Sequence, residues 1–200
     1  MLYRRLGKRF LDLTLCSTVL ALFWPVLLLL FWLVRRKLGS PALFSQPRLG
    51  KDGRVFTLYK FRSMTEERDA SGQLLPDSAR LTRFGRFLRS SSLDELPELY
   101  NVLVGDMSLV GPRPLLVRYK DRYSPEQWRR HEVLPGLTGL TQVSGRNLLS
   151  WEDKFRLDVY YVDHQSFWLD CSILFKTALK VVVREGISAP GSDTSPEFTG

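Results

Sequence analysis

Two adjacent carboxylates are the side chains in this sequence best suited to chemistry. Asp94 and Glu95 stand at the expected start of a helix, because Pro97 is tolerated in a first helical turn but not in an interior. One interpretation is structural, since Ser92 and Glu95 have the spacing of a capping box. The other is functional: carboxylates can bind Mg²⁺ beside a phosphate, and an aspartate there can act as a nucleophile. The spacing alone leaves both open.

Two cations accompany this pair on an expected strand. Residues 42–62 predict a small β-hairpin, with a turn signal at residues 51–53 followed by a run of strand-forming residues. Side chains alternate along a strand, so Lys60 and Arg62 fall on the same face. That face is either a solvated edge or a phosphate-binding surface.

Three more residues are candidates for phosphate binding or for its support. Arg113 is held between two prolines, and Arg146 lies in a second glycine-rich turn. Arginine suits bidentate phosphate binding. Asp158 lies in a mostly apolar run, where a carboxylate needs a partner. Together these residues indicate phosphate chemistry.

A long apolar segment must position this chemistry relative to a membrane. Residues 13–34 carry no charged side chain and are long enough to cross a bilayer as a helix. A cleaved signal peptide is disfavoured, because small residues would then follow the segment instead of the basic residues at 35–37.

Two features favour a re-entrant helix over a spanning one. Lysine and arginine flank both ends of the segment, and the positive-inside rule places such residues on the cytoplasmic side. Pro25, preceded by Trp24, lies near the middle, where proline kinks or breaks a helix. Each half rises less than ~20 Å, too little to cross the hydrocarbon alone. These features leave the re-entrant and spanning arrangements both open.

Two further segments predict amphipathic helices. Residues 80–89 place four arginines three apart with apolar residues between them, despite Gly85. Residues 166–184 form an apolar run with cations at four-residue spacing. Such helices lie at membrane interfaces, although the first could also contact nucleic acid or water, and the second could face a protein core.

Composition limits the classes of protein that fit. The chain has 200 residues and a formal charge of +8, which favours anionic partners. The two cysteines, Cys16 and Cys171, are too few and too far apart for a disulfide framework or a zinc cluster. A charged fraction of 25% and 12% aromatic residues exclude collagen, coiled coil and disorder as whole-chain classes.

A series of short motifs, each weak alone but specific in this order, resembles the bacterial sugar transferases called small monotopic phosphoglycosyl transferases. The motifs are KRFLD at 8–12, YKFRSM at 59–64, SLDELP at 92–97, NVL at 101–103, GDMS at 105–108, VGPRP at 110–114, PGLTG at 135–139 and GRN at 145–147. Within the family, the likeness is greatest to enzymes that transfer phospho-bacillosamine in protein glycosylation.

The resemblance implies a ping-pong reaction. Asp94 attacks the β-phosphate of a UDP-sugar in the presence of Mg²⁺, which Asp94 helps to bind, and UMP leaves. Undecaprenyl phosphate then takes the phosphosugar from the aspartyl intermediate. Glu95 supports the site. Lys60, Arg113 and Asp158 match active-site positions of the family, and Arg146 matches a position near the nucleotide or phosphate.

The resemblance also implies an architecture and a location. The fold is expected to be α+β and mostly helical, with a re-entrant membrane helix at residues 1–38 and a catalytic domain at residues 39–200. That domain would lie on the cytoplasmic face of the bacterial inner membrane and supply later glycosyltransferases. The family often has Ser before the kinking proline, whereas this chain has Trp24 before Pro25, so the kink angle could differ.

Two other functions fit some of these features. A non-catalytic, membrane-anchored protein that binds phosphate or lipid could use the same basic flanks and arginine helix. A nucleic-acid-binding protein would share the positive charge, but the apolar segment argues against it, and we expect no nucleic-acid partner.

Overall fold

The structure is a computed structural model that describes residues 3–145, 148–183 and 197–200. The described residues form a mostly helical α+β fold with two small sheets, as expected. The helices are α1 (Lys8–Leu38), α2 (Asp77–Arg80), α3 (Arg83–Ser90), α4 (Glu98–Val104), α5 (Pro125–Trp128), α6 (Leu140–Ser144), α7 (Trp151–His164) and α8 (Phe167–Val183). The strands are β1 (Leu43–Leu49), β2 (Val55–Phe61), β3 (Ser108–Val110) and β4 (Gly136–Thr138).

The apolar segment forms α1, which runs through Pro25 as one continuous helix. Within the described residues it is the one helix long and apolar enough to cross a membrane, with a mean hydropathy of 2.3. Its middle carries most of its exposed apolar side chains, which are Leu22, Phe23, Trp24, Val26, Leu28, Leu29, Phe31 and Trp32. This stretch is therefore an apolar surface with nothing in the described protein to cover it.

Both ends of α1 pack on the same body. Near its start, Lys8 forms a buried ion pair with Asp170 of α8 at 2.7 Å. The Asp12 carboxylate accepts a hydrogen bond from the backbone of Leu109 in β3 at 3.1 Å. Near its end, Leu30, Val34 and Leu38 enter a second apolar cluster, which also holds Ala42, Phe61 and Leu88. The apolar middle of the helix is thus held between two anchored ends.

The hairpin predicted over residues 42–62 is confirmed. β1 and β2 pair antiparallel, with Leu43 opposite Phe61 and Leu49 opposite Val55. The turn needs Gly53, whose φ of 69° lies in the left-handed region and whose added Cβ would lie 2.7 Å from the Trp128 ring. The hairpin presents Lys60 from β2 toward α4.

The helix predicted over residues 80–89 is wrong in its extent. The chain leaves the helical conformation after Arg80, and α3 starts at Arg83 with the Thr82 side chain accepting a hydrogen bond from the Gly85 N–H at 3.1 Å. A threonine in extended conformation satisfies one of the unpaired N–H groups of a first turn, so it begins a new helix here. The helix predicted over residues 166–184 is confirmed as α8.

Candidate active site

The acid pair lies on its own short turn, not within a helix. Residues Leu93–Glu95 form a 3₁₀ turn, and α4 begins only after Pro97. Ser92 adopts a left-handed conformation with φ of 56°, and its side chain makes no capping hydrogen bond. The capping interpretation of Ser92 and Glu95 is therefore wrong. Glu95 makes a different set of contacts.

Glu95 is the centre of an ionic cluster. Its Oε1 accepts hydrogen bonds from Lys60 Nζ at 2.9 Å and from Arg113 Nη2 at 2.8 Å. Lys60 Nζ also lies 2.9 Å from Oε1 of Glu98, though not in hydrogen-bond alignment. The β-hairpin, the acid turn, α4 and the proline-flanked loop thus meet at this point.

Glu98 is a site residue that our sequence reasoning missed. Its side chain is almost fully buried, with 2% exposed. Burial raises the pKa of Glu98 to about 7, and the charge of Lys60 offsets only part of this effect. The available signal was its position three residues after Glu95, at the start of the helix that follows Pro97.

The charges of the cluster fix Glu95 as a carboxylate. Burial alone would raise its pKa, but Arg113 and Lys60 outweigh this effect and hold the pKa of Glu95 well below its ordinary range. Glu95 in turn raises the pKa of Arg113. A carboxylate so fully paired is suited to holding two cations in place and not to accepting a proton.

Asp94, unlike Glu95, is not paired with a cation among the described residues. Only 9% of the residue is exposed, and among the described residues no hydrogen bond or ion pair reaches its carboxylate. Burial, with the charge of Glu95 beside it, raises the pKa of Asp94 from 3.8 to about 6. An unpaired carboxylate next to cations that are already positioned can attack an electrophile held by those cations.

The raised pKa predicts how activity depends on pH. Only ionised Asp94 can attack, so kcat/KM should fall about tenfold for each pH unit below the Asp94 pKa of about 6 and level off above it. Initial rates from pH 4.5 to 9 measure this limb. If kcat/KM began to fall only near pH 4, the ordinary pKa of an aspartate, the buried and unpaired state of Asp94 would be contradicted.

Asp158 supports the site from a distance, through Arg130. Oδ2 of Asp158 accepts hydrogen bonds from Nε and Nη2 of Arg130 at 3.0 and 2.8 Å, and Oδ1 accepts one from Thr141 at 2.7 Å. Arg130 Nη2 also donates to the backbone oxygen of Arg113 at 2.7 Å. Asp158 is therefore placed as a positioning residue for the loop that carries Arg113.

Of the other predicted site residues, those that the structure describes lie outside this ionic cluster. Arg62 pairs with Glu66 at 2.9 Å, in a different ion pair from that of Lys60. Trp24 and Pro25 lie on the apolar middle of α1, and Trp24 is 58% exposed. Arg146 lies outside the described residues.

The protein groups around Asp94 supply only some of the ligands that a magnesium ion needs. In the described part of the chain, no three acidic, histidine or cysteine side chains converge as a metal site. Asp94 nevertheless offers carboxylate oxygens that no described residue contacts by a hydrogen bond or ion pair, and Mg²⁺ is commonly held by one or two carboxylates together with substrate phosphates and water. The residues therefore fit an ion bound jointly by Asp94 and a phosphate substrate.

Comparison with known proteins identifies the family. Residues 3–184 match the model of the family described as bacterial sugar transferase. The chain belongs to the bacterial sugar transferase family. This match, together with the relatives named for sugar-phosphate transfer, confirms the expectation that the protein is an enzyme, a phosphoglycosyl transferase.

The relatives in this family differ in length. The chain is 54% identical over 193 residues to the uncharacterised sugar transferase EpsL of Bacillus subtilis, which it covers to 96%. It is 39% identical over 199 residues to an undecaprenyl-phosphate galactose phosphotransferase of Salmonella typhimurium, covering 91% of this chain and 42% of that protein. It is 41% identical over 182 residues to a UDP-glucose:undecaprenyl-phosphate glucose-1-phosphate transferase of Caulobacter vibrioides, covering 86% and 68%. Several longer relatives, such as the Salmonella protein, therefore extend well beyond this chain.

Proposed function

We propose that this sugar transferase moves a sugar 1-phosphate from a UDP-sugar to undecaprenyl phosphate and releases UMP. The observation that carries the proposal is the buried Asp94 carboxylate, which pairs with none of the described residues and lies beside two cations fixed by Glu95. The names of the Salmonella and Caulobacter relatives, which specify undecaprenyl phosphate with galactose and glucose 1-phosphate, agree with this reaction class.

The reaction we propose has two displacements. An oxygen of Asp94 attacks the β-phosphorus of the UDP-sugar, the bond from that phosphorus to the UMP oxygen breaks, and a phosphosugar–aspartyl intermediate forms. A phosphate oxygen of undecaprenyl phosphate then attacks the same phosphorus, and Asp94 leaves as a carboxylate. Dividing one difficult displacement into two is the general advantage of a covalent intermediate.

The ionic cluster would serve both displacements. Glu95 holds Lys60 and Arg113 in place. Their positive charges would stabilise the negative charge that develops on the phosphate oxygens. Groups oriented in advance stabilise a transition state more than mobile ones do. Mg²⁺, held by Asp94 and substrate phosphate, would neutralise further phosphate charge.

We propose that the donor is UDP-N,N′-diacetylbacillosamine or another UDP-N-acetyl-sugar, in protein glycosylation or another glycoconjugate pathway. A panel of UDP-sugars that includes UDP-glucose and UDP-galactose, scored by UMP release with undecaprenyl phosphate, tests the reaction and the sugar together. Preference for an acetamido sugar is expected. Release of UMP from UDP-glucose alone would refute the proposed acetamido-sugar donor, and no release from any donor would refute the proposed reaction.

We further propose that α1 enters and leaves the membrane by the cytoplasmic face of the inner membrane. Support comes from its anchored ends, because Lys8 and Val34 both pack on one folded body while the apolar middle is exposed. The product would pass to glycosyltransferases that extend the lipid-linked sugar.

This topology predicts that both flanks of α1 are accessible from one side. Cysteines introduced singly at Leu6 and at Gly39, in a background without native cysteines, should both react with an impermeant thiol reagent only after the cells are opened. Labelling of one position from outside intact spheroplasts would show that α1 spans the membrane.

A further inference from the structure

Arg89, at the end of α3, is a cation near Asp94 that the mechanism above does not use. Its Nε donates a hydrogen bond to Ser63 Oγ at 2.9 Å, so the guanidinium is fixed in place. The close approach depends on Gly85, one turn earlier, because an added Cβ there would lie 1.8 Å from the Ser63 backbone oxygen. The fold thus brings α3 tightly against this segment and holds Arg89 there.

Arg89 differs from the other cations around the acid turn in having no acid partner in the described part of the chain. Lys60 and Arg113 contact Glu95, and Arg62 contacts Glu66. Among the residues that the structure describes, no carboxylate lies within 4.0 Å of Arg89. Its positive charge is therefore available to an anion that comes from outside the protein.

Arg89 also follows a residue that packs against the end of α1. The neighbouring Leu88 is fully buried in the cluster formed by the end of α1, and Leu93 and Leu96, on either side of the acid pair, pack on the same cluster. The end of α3 and the acid turn thus both border the end of the apolar helix. Arg113 reaches the same turn from a separate loop, which is held by Arg130.

Arg89 acts on Asp94 through its charge. The C-terminal end of α3, which carries Arg89, packs against the Leu93–Glu95 turn, so its charge lies near the Asp94 carboxylate. In the proposed intermediate the negative charge of the Asp94 carboxylate is replaced by the single negative charge of the bound phosphosugar. The arriving phosphate monoester, with a charge of about −1.5 to −2, adds further negative charge that needs a cation.

We propose that Arg89 binds the phosphate of the lipid-linked acceptor during the second displacement. This inference rests on the proposed function and adds the residue that recognises the acceptor. The guanidinium, fixed through Nε to Ser63, presents its two terminal nitrogens to the phosphate oxygens, a geometry that arginine suits.

Separate assays of the two displacements test the proposal. With UDP-sugar alone, Arg89→Gln should release about one UMP per chain at a rate within about twofold of the wild type. With undecaprenyl phosphate added in detergent, its kcat/KM for the acceptor should fall about 10- to 100-fold, the loss expected for a charge-assisted contact. Arg89→Lys keeps the charge but lacks the planar guanidinium, so its acceptor kcat/KM should lie between those of the wild type and Arg89→Gln.

Controls separate this role from general attraction to lipid. Arg83→Gln removes the same charge from the same helix and should keep acceptor kcat/KM within about twofold of the wild type. Arg89→Gln should bind phosphatidylglycerol vesicles as Arg83→Gln does. Loss of vesicle binding with unchanged acceptor kinetics would assign Arg89 to a phospholipid headgroup and overturn the proposal.

Two other outcomes would also overturn it. Equal loss of both displacements in Arg89→Gln would place the residue at the donor, and loss of neither would exclude it from the reaction. Failure of the wild type to release UMP from any UDP-sugar would refute the proposed function itself, a result distinct from every failure seen only in the variant.

Discussion

Asp94→Asn is expected to reduce UMP release by a factor on the order of 10⁴ or more, the scale seen when an enzyme loses its nucleophile. Asparagine matches aspartate in size, and no protein hydrogen bond to the Asp94 carboxylate exists among the described residues for the change to break. Its amide cannot attack the β-phosphorus. Activity should therefore be lost without loss of folding.

Two measurements make this loss interpretable. Asp77→Asn, an exposed change in α2, should keep wild-type rates, and Asp94→Asn should keep the wild-type unfolding temperature and membrane association. Removal of the Asp94 charge also ends its repulsion with Glu95, so no loss of stability is expected. Turnover of Asp94→Asn within tenfold of the wild type would mean that another group attacks the phosphate.

Asp158→Ala is expected to cause the largest loss of stability. Asp158 and Arg130 are 4% and 3% exposed, so the change would leave a buried guanidinium without its counter-charge. Breaking a buried pair from one side typically costs about 3–5 kcal/mol, which would lower the unfolding temperature by about 10 °C in a protein of this size. Thermal unfolding in detergent measures the shift.

The double variant Arg130→Met with Asp158→Ala separates stability from function. Since neither buried charge remains, it should regain much of the stability that Asp158→Ala loses. Its activity should stay low, because the backbone oxygen of Arg113 has lost its donor. A double variant as unstable as the sum of the single changes, or one with full activity, would contradict the positioning role of Asp158.

Local signals in the sequence predicted much of the fold. The hairpin followed from a turn signal and strand-forming residues, which act between near neighbours. The apolar helix and α8 followed from continuous apolar runs. The break between α2 and α3 escaped prediction because the arginine spacing continues through it, while Thr82 and the close approach of Gly85 to Ser63 set the true start.

The candidate site was predicted in part. Asp94, Glu95, Lys60 and Arg113 do meet. Contacts over long sequence separations gave no local signal: Lys60 reaches Glu98, and Arg130 reaches Asp158 from 28 residues away. The capping interpretation failed because the chain reverses at Ser92 in a left-handed conformation, which turns that side chain away from capping the acid turn.

The covalent intermediate is the central claim, and its mass can be measured directly. The purified protein, incubated with its preferred UDP-sugar and no acceptor, should gain the mass of one phosphosugar, located on the peptide that contains Asp94. Undecaprenyl phosphate should then remove that mass, and Asp94→Asn should never acquire it. Steady turnover by the wild type without such an adduct, or an adduct on another residue, would contradict the account.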